Sequence, residues 1–195
     1  MRNDRKQLAL VIPQSGWAEL QHAPADIVAA MARHENWYTP CPVSKSVPRT
    51  QKRELAQDYW CIVAGVIIRI KTGYQWDGAS IPRWAWLFVG QPFDPRHEAA
   101  GLIHDVLYGG ELCDRDVADW VLHKVIRRTR GYAQGIHANV FWAAVRTGGW
   151  WPWLRKTDAG VQAQRKLLTW WSREFVRQVI TDRESKQDQV EGMST

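Results

Sequence analysis

His97-Glu-Ala-Ala-Gly-Leu-Ile-His-Asp-Val-Leu-Tyr108 is the stretch that decides how this chain is read. At helical spacing Ala99, Ala100, Leu102, Ile103, Val106 and Leu107 fall on one arc, the face that a core requires. His97, Glu98, Gly101, His104, Asp105 and Tyr108 fall on the other. That polar arc carries imidazoles, carboxylates and a phenol around a glycine. These are acid–base and ligand groups rather than the usual solvent residues, and the glycine leaves room for a close approach.

Reading outward from this helix, Gly109-Gly110 end it and Asp114 is expected to cap a second helix running to about Arg130. The pair should form an antiparallel hairpin. His104 precedes Gly109 by as many residues as Asp119 follows Asp114, so at about 1.5 Å per residue the two side chains stand at one height. The spacing therefore predicts a His104–Asp119 pair. The carboxylate would select the imidazole tautomer while the other ring nitrogen faces water or substrate. Tyr108, one turn from His104, could add a hydrogen bond. Asp105 points about 100° away from His104 and suits a hard-cation ligand, Ca²⁺ or another divalent ion. Asp77, in the Asp77-Gly78 turn, is a second candidate ligand if its loop folds over this face. His97 and His104 are roughly 10.5 Å apart along the axis, too far to share one ion comfortably. His97 reads as a solvated first-turn residue. Against the catalytic reading stands a plain one, in which His104, Asp105 and Asp119 form a structural clasp that pins the hairpin.

Residues 59–72, YWCIVAGVIIRIKT, read as two strands around an Ala64-Gly65 turn, followed by an extended GYQW. Ser80 and Pro82 fit the start of a short apolar helix ending at Gly90. Further upstream, Ala25 to Arg33 could make a helix after Pro24, and Pro40, Pro42, Pro48 and PRTQKRE read as loop. Downstream, a third helix is expected over about Tyr132 to Arg146, then a break at GGWWPW. A last helix is expected from about Ala159 to Asp182, with Leu168, Trp171, Phe175 and Val179 on one face, before a disordered tail, SKQDQVEGMST. The expected organisation is an N-terminal extension (1–58), a core domain with the His/Asp hairpin (59–150), and a Trp-rich basic C-terminal helix and tail (151–195). The expected fold class is α+β: a small antiparallel sheet packed on a three-helix core with a long C-terminal amphipathic helix.

Composition narrows the class. In 195 residues, 45% hydrophobic content supports a real core and 24% charged content argues against a disordered chain. The net charge of +6 favours anionic partners. No nucleic-acid reader motif is present, so specific nucleic-acid binding is not expected. Three cysteines without a CxxC argue against a disulfide framework or a structural zinc site and fit a reducing compartment. No apolar run is long enough for a membrane span. Among the thirteen tryptophans, Trp150, Trp151 and Trp153 stand beside a basic helix. That arrangement fits a membrane interface or docking on the core or on a partner protein.

Two resemblances follow from these motifs. Ala99-Ala100, His104-Asp105, Tyr108 and Ala118-Asp119 resemble the AAxxHDxxY…AD active helices of viral phospholipase A₂ domains. That resemblance implies His104 as the general base for water, Asp119 as its orienter and Asp105 as a calcium ligand. The family's glycine-rich calcium loop has only VGQPFD, residues 89–94, in its place. A second resemblance covers about residues 59–150. WDGASIPR, AAGLIHDVLY, Arg115 to Asp119, and AVRTGG are similar, in order, to a phage- and prophage-borne family of domains of unknown function. It implies a viral or prophage origin, with synthesis in the cytoplasm of a bacterial host and virion association as an open alternative. The functional expectation is a hydrolase-like domain acting on an ester such as phospholipid. The rival is a non-enzymatic virion or accessory protein whose tryptophan-rich C-terminal region meets other virion proteins or a membrane surface. A modulator of host defence or lysis is a third class.

Overall fold

The computed structural model describes residues 8–78, 93–129, 136–148 and 157–181. Along the chain these form α1 (Trp17–Leu20), α2 (Ala25–Ala32), β1 (Ser44–Ser46), β2 (Arg53–Leu55), β3 (Tyr59–Val63), β4 (Val66–Ile70) and β5 (Gln75–Trp76). There follow α3 (Glu98–Gly109), α4 (Arg115–Arg128), α5 (Ile136–Gly148), α6 (Asp158–Arg165), β6 (Leu168–Trp171) and a last helix, α7, residues 173–181.

The Ala64-Gly65 turn forms as expected. Both residues take positive φ, 50° and 82°, as in the two-residue turns whose twist matches paired strands. This sets Val63 opposite Val66 and Tyr59 opposite Ile70. β6 pairs antiparallel with the other edge of β4, Ile67 opposite Trp171 and Ile70 opposite Leu168, giving the order β3-β4-β6. Side chains alternate across this sheet. Cys61, Val63, Val66, Ile68 and Ile70 join the main core with α3 and α4, whereas Trp60, Ile62, Ile67 and Trp171 pack on the other face with Leu20, Ile27, Ala30 and Val176. Burial on both faces explains why YWCIV reads as a continuous apolar run. A second antiparallel sheet, β1-β2-β5, pairs Ser44 with Leu55 and Arg53 with Trp76. The helices α3, α4 and α5 pack in sequence as an antiparallel series, completing a mixed α+β fold.

The long C-terminal helix is not what forms. Residues 159–181 of the expected helix are split into α6, β6 and α7. The aromatic and β-branched run LTWW suits a strand, and its pairing satisfies the backbone groups of β4's outer edge. The apparent helical repeat of Leu168 and Trp171 is coincidental, since the two side chains enter the cores on opposite faces of the sheet. Trp171 stacks on Trp60 with centroids 5.5 Å apart and donates its Nε1–H to the Gly16 carbonyl at 2.7 Å. β1 and part of β2 also replace expected loop. Their sequences, SKS and REL, carry almost no apolar signal, and the strand that completes their sheet, β5, lies well downstream. The expected helix over 82–90, the start of the third helix before residue 136, the tryptophans at 150–153 and the tail lie outside the described residues. Among the described residues no helix is long and apolar enough to cross a membrane.

Candidate functional site

The central helix α3 is covered on nearly all sides, its polar arc included. His97, Glu98, His104 and Tyr108 are buried alongside the expected apolar residues. His97 is therefore not a solvated first-turn residue; its ring lies 5.0 Å from that of Phe141 on α5. Glu98 accepts hydrogen bonds from Arg53 Nη1 and Ser44 Oγ, both at 2.9 Å, and so ties the β1-β2-β5 sheet to the start of α3. Packing of α5 and the second sheet against this arc is a tertiary event that helical periodicity does not register.

The hairpin glycines serve close packing rather than a left-handed turn. Gly110, at the helix C-cap, has φ of −80°, and positive φ falls instead on Glu111. A Cβ on Gly109 would lie 2.1 Å from Gln164 Oε1, the movable end of a side chain on α6, and one on Gly110 would lie 3.1 Å from the Val106 carbonyl and the Leu112 side chain.

Across the hairpin His104 Nε2 meets Asp119 Oδ1 at 2.9 Å, with His104 5% exposed and Asp119 fully buried. Equal height on antiparallel helices produces the contact that the spacing predicts. Asp119 Oδ2 faces two guanidinium groups, Arg146 Nη1 at 3.3 Å and Arg115 Nε at 3.8 Å. Arg115 also donates from Nη2 to the Arg146 carbonyl at 2.9 Å. One buried carboxylate therefore gathers side chains from α3, α4 and α5. Asp114 stands at the N-cap of α4, but its side chain makes no capping hydrogen bond. Tyr108 contributes a ring stacked on His104, with centroids 5.1 Å apart.

The other ring nitrogen of His104 faces a second carboxylate. Nδ1 lies 3.9 Å from Asp105 Oδ1, a charge contact rather than a hydrogen bond. The Asp105 side chain is 16% exposed, so this side of the imidazole is the one nearer solvent. Asp77, in the stretch after β5, brings its carboxyl close enough to Asp105 to act on its charge. Burial pushes the Asp105 carboxyl up to about 7, the adjacent Asp77 charge adds to this, and His104 opposes it. Burial and the same two carboxylates hold the Tyr74 phenol well above its ordinary value. For His104, burial disfavours the imidazolium, but the carboxylates of Asp105 and Asp119 more than offset it and the pKa is raised.

A carboxyl group raised by burial and by a neighbouring carboxylate has the electrostatics a hard cation relieves. Asp105 and Asp77 are only part of a coordination shell, and among the described residues no group of three or more His, Cys, Asp or Glu side chains converges to hold a metal. The structure thus brings His104, Asp105, Asp119, Tyr108 and Asp77 together. Sequence reading missed Arg115 and Arg146. Arg115 is four residues before Asp119 on one helix, a spacing that signals an ion pair. Arg146 reaches Asp119 only through the docking of α5.

The stretch from β2 to α5 that assembles this site has relatives. Residues 53–145 match the model of a family described as Protein of unknown function (DUF1353). The match spans Asp77, His104, Asp105, Arg115 and Asp119 and stops one residue short of Arg146. No curated protein and no solved structure matches the chain.

Proposed function

We propose that this chain is a phage- or prophage-encoded, hydrolase-like domain in which His104 is the general base for ester hydrolysis, with phospholipid as the first substrate class. One observation carries the reading: a buried His104–Asp119 hydrogen bond of 2.9 Å whose imidazole turns its second nitrogen toward Asp105, the carboxyl that Asp77 neighbours. Asp119, positioned beside Arg115 and Arg146, accepts the Nε2–H and leaves the lone pair on Nδ1. Nδ1 takes a proton from water as the water oxygen bonds to the ester carbonyl carbon. The same proton then passes to the departing alkoxide as the carbon–oxygen bond breaks. Asp105 and Asp77 would hold a divalent cation such as Ca²⁺, which supplies charge stabilisation for the oxyanion.

The test is turnover of phosphatidylcholine and phosphatidylglycerol vesicles and of a soluble ester panel by the full chain, with Ca²⁺ or with chelator. Turnover abolished in His104→Ala with an unchanged far-UV spectrum supports the mechanism; retained turnover in that variant sinks it. The full burial of Asp119 and its links to three helices favour a second reading, a structural clasp within a virion or accessory protein. In that case wild type shows no turnover, and His104→Ala only melts at lower temperature.

A further inference from the structure

We infer that the trough between α2 and α7, on the outer face of the β3-β4-β6 sheet, binds the acyl chain of a medium-chain fatty acid, with its carboxylate on Arg173 and Arg177. The inference is independent of the proposed hydrolysis, since the His104 site belongs to the core on the opposite face of the sheet.

The cavity measures about 220 Å³. Its apolar lining comes from α2 through Val28 and Met31, from the sheet through Ile62 and Ile67, and from α7 through Val176 and Ile180. Val28 and Ile180 are among the few large apolar side chains that this structure leaves exposed. Ordinary folding would cover such side chains, so their convergence on one cavity marks a surface with a use.

Arg173 and Arg177 line the same cavity and stand one turn apart on α7. Arg173 is fixed in place by donating to the Glu35 carbonyl, and the Glu35 carboxylate is directed to Arg33 at 2.8 Å. Among the described residues Arg177 has no carboxylate partner. An apolar cavity carrying on one wall two guanidinium groups that have no carboxylate partner among the described residues is complementary to an anionic amphiphile. Two guanidinium groups a turn apart suit the planar carboxylate of a fatty acid. A wholly apolar ligand would leave both charges unused, and a partner helix needs a longer groove with anchors over several turns.

The experiment is calorimetric titration of laurate, below its micelle concentration, into the full chain. Methyl NMR is recorded in parallel, and 1-dodecanol serves as the neutral control. We expect saturable binding of one laurate per chain, weaker binding of dodecanol, and shifts of the Val28 and Ile180 methyls. Arg177→Gln, at an exposed position, should weaken laurate binding by about tenfold or more. Ala32→Trp, which fills the trough from the last turn of α2, should abolish it. His104→Ala should bind laurate as wild type does, whether or not hydrolysis is observed. No saturable uptake by wild type overturns the inference, as do equal affinities for laurate and dodecanol or unchanged binding in both trough variants. Uptake of an acidic peptide in place of laurate also overturns it.

Discussion

Replacing Asp119 by Asn keeps the shape of the side chain and removes only its charge. The carboxylate is fully buried and meets His104 at 2.9 Å, Arg146 at 3.3 Å and Arg115 at 3.8 Å. A hydrogen bond to a charged group nets about 1.5–3 kcal/mol. The Arg146 side chain is 42% exposed, so solvent screening holds its share below about 1 kcal/mol. Arg115 is far less exposed, and losing one partner of a buried ion pair costs about 3–5 kcal/mol. The Asn oxygen still accepts one hydrogen bond, which brings the expected loss to about 2–4 kcal/mol. For a chain of this length that is a drop in Tm of about 4–15 °C. The loss should also depend on pH. A raised His104 pKa in the folded state gives stability that is complete below the unfolded value of about 6.5 and disappears as pH rises through the folded value. Asp119→Asn should therefore destabilise more at pH 5.5 than at pH 9. The assay is thermal and urea unfolding of both proteins across that range. A Tm within about 1 °C of wild type throughout would refute the energetic role given to this network.

Other outcomes follow from the same geometry. The Asp105 carboxyl rises on folding to about 7, so wild type should lose stability as pH climbs from about 4 to 7. Asp105→Asn should flatten that slope and melt above wild type at pH 8, as thermal scans would show. Calorimetric titration of Ca²⁺, Mg²⁺ and Zn²⁺ should give cation binding at pH 8 that weakens toward pH 5 and is lost in Asp105→Asn and Asp77→Asn; unchanged binding in both variants would place the cation elsewhere. Trp171→Ala removes a fully buried indole stacked on Trp60 and should cost about 3–5 kcal/mol in urea unfolding. A loss under about 1 kcal/mol would mean that β6 does not anchor the sheet.

Local signals carried much of this protein into the sequence. The Ala64-Gly65 hairpin, α2 after Pro24, and the α3–α4 hairpin each follow from periodicity and turn chemistry acting between near neighbours. The His104–Asp119 contact was legible for the same reason: the two helices are joined by a short turn, and rise per residue sets their side chains level. What depended on distant partners was not legible. LTWW becomes a strand because β4, far upstream, offers a free edge and the two sheet faces need Leu168 and Trp171 on opposite sides. β1 and β2 form because β5 and Glu98 receive them. The Arg146 contact to Asp119, the burial of His97, and the meeting of Asp77 with Asp105 all require elements remote in sequence to dock. Periodicity reports which face of an element is apolar; only packing decides what covers the other face, and here that cover makes the charged groups a single coupled site.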